Sequence, residues 1–143
     1  MADLFRIEPV TGLVVLGNEG TLTYEGWEAA VRSLLRADPR PSTTRRRILS
    51  DRRRSAPLPY GMIDRILAFF HQRAAELGEV QWALLAPPRS PVYEVLRIGE
   101  AVASTPHVNL KAFADLDDAL RWLLGAYEEE ELIRLACWVE NTS

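Results

Sequence analysis

The chain has 143 residues, 48% apolar and 26% charged, with a net charge of −3. That is long enough for one buried core without disulfides or metal, and the charge gives no general attraction to nucleic acid or anionic membrane. Cys137 is the only cysteine, which excludes an internal disulfide and fits a reducing, cytoplasmic setting.

Two short β-prone runs, Leu4–Val10 and Leu13–Gly17, flank Thr11-Gly12 and read as a hairpin. Asp3 and Arg6 among few apolar residues do not read as a signal peptide. Thr23 offers a helix N-cap, and Trp27, Ala30, Val31, Leu34 and Leu35 follow on one face until Pro39 and Pro41. Arg47–Asp51 is the next strand. Arg52–Tyr60 is a loop, and Ile63, Ile66, Leu67, Phe70, Ala74 and Leu77 form one helical stripe ending at Gly78. Val80–Ala86 is short and nearly all apolar, as a strand covered on both faces should be.

Ser90-Pro91 is a strong helix start, with Val92, Val95, Leu96, Gly99, Val102 and Ala103 as its stripe. Val108–Phe113 is the last strand. Asp115 caps a helix whose buried face is Leu116, Ala119, Leu120, Leu123 and Leu124, with Asp118 in a variant capping box and Gly125 as its end. Glu128–Glu131 load the start of a further helix with the charge its positive end prefers. No run approaches the ~20 apolar residues that span a bilayer. Strands alternating with helices imply a mainly parallel sheet with right-handed crossovers, and the hairpin adds one antiparallel neighbour.

Gly20, Thr21, Thr23, Tyr24 and Trp27 form a strand-to-helix turn, and Ala112, Phe113, Asp115, Ala119, Trp122 and Leu123 form a closing strand and helix. On these residues the chain resembles the STAS fold of anti-sigma-factor antagonists and their SpoIIAA-like relatives, over roughly residues 3 to 125. The resemblance implies an α/β domain with a mixed, mainly parallel sheet of about five strands packed with four helices. Residues 126–143 are then an extra C-terminal helix beyond a domain of residues 1–125. It also implies a non-enzymatic regulatory or protein-interaction module that offers the Asp51–Gly61 loop and second helix to a protein partner, without a cofactor. In phosphorylated members an Asp-Ser-Ser/Thr-Gly-Leu segment carries the phosphoacceptor. Here the stretch Arg53–Leu58 keeps only a serine and a leucine, which leaves Ser55 as the candidate phosphoacceptor.

The arginines form two triplets, Arg45–Arg47 and Arg52–Arg54. Their centres lie about 23 Å apart along a strand, at opposite sheet edges, and no aromatic residue sits among them to stack bases. Solvated charge covering apolar surface is the favoured reading of the pair. The second triplet falls where loops after parallel strands converge, with Asn18, Thr21, Tyr60, Arg89 and Ser90. Arg52, Arg53, Arg54, Arg89 and Ser90 are therefore an anion-binding candidate, and a small anionic ligand is the alternative function. Relatives of this fold are also compared with CRAL-TRIO lipid binders, which implies an apolar cavity under the helices as a variant of that alternative.

His71 and His107 are isolated, and neither a metal-ligand spacing, a nucleophile elbow nor a P-loop is present. Asp51 is the best-placed carboxylate but has no acid partner in the pattern. Trp27, Trp82 and Trp122 fall on core faces. Leu132, Leu135 and Trp138 belong to the C-terminal helix, whose stripe either docks on its own domain or serves as a dimer or partner contact.

Overall fold

Gly12 turns the opening hairpin with a φ of 76°, a left-handed conformation that a side chain would strain. Glu8 closes it on both sides, donating its N–H to the Leu13 carbonyl and accepting from the Gly12 N–H, each at 2.8 Å. The hairpin joins β1 (Leu4–Ile7) to β2 (Val14–Gly17) antiparallel. The computed structural model describes residues 4–17, 23–37, 45–54, 56, 61–91, 93–94, 97, 108–125 and 127–141.

Beyond the hairpin come α1 (Tyr24–Ala37), β3 (Arg46–Asp51), α2 (Met62–Gln72), α3 (Ala74–Leu77) and β4 (Val80–Leu85). Then follow β5 (Val108–Phe113), α4 (Leu116–Leu124) and α5 (Glu129–Asn141). The five strands lie side by side in chain order, and β2, β3, β4 and β5 run parallel. This is the mixed, mainly parallel α/β sheet that the alternation of strands and helices implies.

The caps are local and sit where the side-chain chemistry places them. Thr23 Oγ1 accepts from the Gly26 N–H at 3.0 Å. Ser90 Oγ accepts from the Tyr93 N–H at 3.0 Å, and Pro91, Tyr93, Glu94 and Arg97 have helical backbone. The rest of the third expected helix lies outside the described residues. Asp115 accepts from the Asp117 N–H at 2.9 Å. Gly125 does end α4, but not by a left-handed turn: its φ is −61°, and a Cβ there would meet the Arg121 carbonyl at 2.8 Å.

The apolar stripe expected to run unbroken to Leu77 is interrupted at Arg73, which has φ −112° and ψ 18°. Its N–H still closes on the Phe69 carbonyl at 2.9 Å, and α3 restarts after it. The periodicity carries no mark of the break because Phe70 and Leu77 enter the same core from either side.

Strand alternation splits the core in two. Val14, Leu16, Ile48, Trp82 and Leu110 face α1, α2 and α3, where Trp27 stacks on Trp82 at 6.0 Å and meets Phe69 edge-on at 5.3 Å. Trp82 donates to Ser50 Oγ at 2.8 Å, so its one polar atom is satisfied inside that core. Leu13, Val15, Leu49, Ala83 and Leu85 face the other way. They are covered by Ala119, Leu120, Leu123 and Leu124 of α4 and by Leu132, Leu135 and Val139 of α5. The C-terminal helix thus shares a core with α4.

Candidate functional site

Gly17, Asp51, Leu85 and Phe113 are paired in one row across the ends of the four parallel strands. The chain leaves each of these strands at this edge, where parallel sheets take their ligands. Arg52 extends the pairing by donating its N–H to the Leu85 carbonyl at 2.7 Å, and Ala86 does the same to Phe113 at 3.1 Å.

The second arginine triplet is distributed over three environments. Arg52 is 3% exposed and Arg54 faces solvent. Arg53 folds back over the residue two before it. Its backbone N–H and Nε reach Asp51 Oδ1 at 3.2 and 2.9 Å, and Nη2 reaches Oδ2 at 2.7 Å. The same guanidinium meets Glu140, in the last turn of α5, at 2.6 Å. Burial pushes the Asp51 carboxyl up, but hydrogen bonds from Arg53 and the charges of Arg53 and Arg54 more than offset it, so its pKa lies below the ordinary value. The Asp51 hydrogen bonds in turn raise Arg53 against its partial burial, with Glu140 adding to the rise.

Ser90 is occupied by structure: its hydroxyl donates to the Pro87 carbonyl at 2.7 Å while capping the helix. Arg89 is exposed on the loop after β4, with a φ of 61°. The fold therefore gathers Arg52, Arg53 and Arg54 round the end of β3 with Arg89 and Ser90 on the neighbouring loop. It commits Arg53 to two carboxylates and Ser90 to a cap. Ser55, Asn18, Thr21, Tyr60 and His107 lie outside the described residues.

The first triplet departs from the solvated surface expected of it. Arg45 is exposed and pairs with Glu79 at 3.6 Å. Arg46 is 2% exposed, and its Nε donates to the Leu77 carbonyl at 3.3 Å. A cation at the carbonyl end of α3 satisfies an acceptor the helix leaves open, which is what draws this arginine inward. Arg47 is half-buried, and its Nε has no hydrogen-bond partner among the described residues.

Leu132 and Leu135 are 3% and 0% exposed, seated on the chain's own sheet. Their contact surface is taken up internally. Trp138 is half-buried with the Arg6 guanidinium 4.7 Å from its ring centroid. His71 and Cys137 are exposed.

Two residues that the sequence pattern does not single out shape this region. Arg6 donates to the Trp138 and Val139 carbonyls at 3.5 and 3.3 Å. Burial lowers the Arg6 pKa, with the nearby Asp51 charge opposing. Glu8 is buried and accepts from the Thr11 N–H and hydroxyl, with Arg134 at 3.0 Å. Only the Thr11 spacing is local, so nothing in the sequence links either residue to α5.

Among the described residues, no group of three or more His, Cys, Asp or Glu side chains could hold a metal ion. No helix among them is long and apolar enough to cross a membrane.

No family model matches the chain, and no curated protein matches it. Among solved structures, the chain is similar to the crystal structure of an uncharacterized DUF3478-family protein from Shewanella loihica PV-4 with a SpoIIAA-like fold. The TM-score is 0.60 at 21% identity, covering 85% of this chain and 92% of that one. The chain has a SpoIIAA-like fold.

Proposed function

We propose that the chain is a non-enzymatic regulatory module of the anti-sigma-factor-antagonist type, acting in the cytoplasm by binding another protein through the β3–α2 connection and the outer face of α2. The observation that carries this reading is the way α2 follows that edge. It buries Met62, Phe69 and Phe70 and leaves Asp64, Arg65, Ala68, His71 and Gln72 outward. The engagement of the Ser90 hydroxyl in a helix cap supports the same reading, because it is not left to activate a substrate. The SpoIIAA-like fold is consistent with it, although fold by itself does not carry function.

In this reading Ser55 is a site of regulation. A phosphate on it would add negative charge next in sequence to Arg52–Arg54, which favours the modified form electrostatically.

The test uses Ala68→Glu/His71→Glu, two exposed positions whose change leaves the core intact. A partner captured by the native protein should bind the variant at least about tenfold more weakly at unchanged melting temperature. Equal affinity for both proteins would remove α2 from the interface. Recovery of Ser55 unmodified after incubation with the host's kinases would dismiss the phosphoacceptor.

A further inference from the structure

Among the described residues, three charged side chains, Asp51, Arg53 and Glu140, meet at the end of β3. Arg53 holds Asp51 as a fork and also touches Glu140. Arg54 and Arg6 add positive charge close enough to act on the Asp51 carboxylate.

The two carboxylates are held very differently. Asp51 is 23% exposed and accepts three hydrogen bonds from Arg53, one of them from the backbone. Glu140 is 49% exposed and comes from the last turn of α5 to meet a guanidinium already oriented by Asp51. A half-exposed ion pair is held by little net energy. Glu140 is accordingly the member that can leave.

We propose that Glu140 is an internal stand-in for an external oxyanion, a phosphate or a carboxylate, on Arg53, so that the last turn of α5 closes a binding site at the end of the parallel sheet. Arg53 suits the task because the terminal N–H groups that Asp51 leaves unused can donate to either group, and because Asp51 fixes the guanidinium beforehand, which spares a ligand the cost of ordering it. The position suits it too, since the edge beyond Asp51 and Leu85 is where loops of a parallel sheet converge on ligands. When Glu140 swings out, the cluster gains one unit of positive charge, and an incoming anion meets the guanidinium it uncovers. The inference stands apart from the protein-partner reading, which depends on α2 and not on Glu140.

Inorganic phosphate and acetate are the probes, titrated at fixed ionic strength while the backbone amide signals of Asp51 and Arg53 are followed by NMR. Three proteins are compared: native, Glu140→Gln and Glu140→Gln/Arg53→Gln. Removing the Glu140 charge should tighten binding about fivefold, the scale of one exposed ion pair. The double variant should lose the response. A stronger response to phosphate identifies a phosphate site, and a stronger response to acetate a carboxylate site. Equal binding by native protein and Glu140→Gln, or binding that survives loss of Arg53, would overturn the proposal. Should the double variant fail to fold, Glu140→Gln/Arg53→Lys replaces it: the charge stays, the fork is gone, and the gain from Glu140→Gln should vanish. Its retention would equally overturn the site.

Discussion

Arg6 lies in the first strand and Trp138 in the last helix, and the guanidinium of one sits 4.7 Å from the ring centroid of the other. The same guanidinium donates to the Trp138 and Val139 carbonyls. The last turn of α5 contains no basic residue of its own. A helix leaves its final carbonyls unpaired and carries negative charge at that end. Arg6 supplies from β1 what the helix lacks.

Arg6→Ala should therefore destabilise the fold by about 1–2 kcal/mol, the scale of a charged helix-end contact plus a stacked guanidinium. Arg6→Lys keeps the charge but loses the paired donors and the planar stack, and should fall between. The urea midpoints of the three proteins, at equal m-values, read this directly. Coincident midpoints would mean that α5 is held without Arg6.

The Glu8 carboxyl gives a pH signature. Burial pushes its pKa up, but the Thr11 hydroxyl and N–H, each at 2.6 Å, and Arg134 bring it down to about 2 from the usual 4.5. The folded state thus binds fewer protons than the unfolded chain between these values. The stability that Glu8 contributes is complete above pH 4.5 and is lost as pH falls toward about 2. Glu8→Gln should cost about 1–3 kcal/mol at neutral pH and flatten the acid limb of the stability curve. Chemical denaturation across that window checks both. An acid limb as steep as the native one would place the responsible carboxylate elsewhere.

Ser50→Ala tests the polar contact inside the aromatic core. It strips the acceptor from the buried Trp82 Nε1 and should cost about 1–3 kcal/mol. Trp82→Phe removes the donor as well as volume. Combined with Ser50→Ala, it should cost less than the two single changes together, because the orphaned N–H is gone. Strict additivity in guanidinium denaturation would show that the two groups are not coupled.

Leu135 and Ile133 lie two positions apart on α5 and should behave oppositely. Leu135 is fully buried, so Leu135→Ala should cost about 2–5 kcal/mol by leaving a cavity. Ile133 is 58% exposed, and Ile133→Ala should stay within about 0.5 kcal/mol. Thermal melts at two protein concentrations distinguish this from burial between two chains. A concentration-dependent loss for Leu135→Ala would assign its cover to a second copy.

What was legible in the sequence was what local chemistry decides. Thr23, Ser90 and Asp115 cap helices because a short side-chain oxygen sits beside unpaired backbone N–H groups. Val108–Phe113 is a strand with the bounds its pattern suggests. Strand direction followed from the alternation of elements, and it placed Arg52–Arg54 at the edge where the parallel strands end. Tertiary partners were not legible. Arg46 reads as one of three surface arginines until α3 offers it a carbonyl, and Arg53 reads as free until α5 delivers Glu140. The break at Arg73 is invisible because both sides of it feed one core.

Among the described residues, every sheet pairing joins strands that are consecutive in the chain. A polypeptide emerging from a ribosome can therefore assemble this sheet strand by strand, each step after the hairpin closing one crossover. The return of α5 to β1 is different, for Arg6 and Val139 are 133 positions apart. Until that helix has been synthesised, Leu13, Val15 and Leu49 lack part of their cover, and a nascent chain carries an apolar surface open to aggregation. Docking of α5 is then a late, long-range closure, and loss of this helix should leave a sheet that forms but stays sticky.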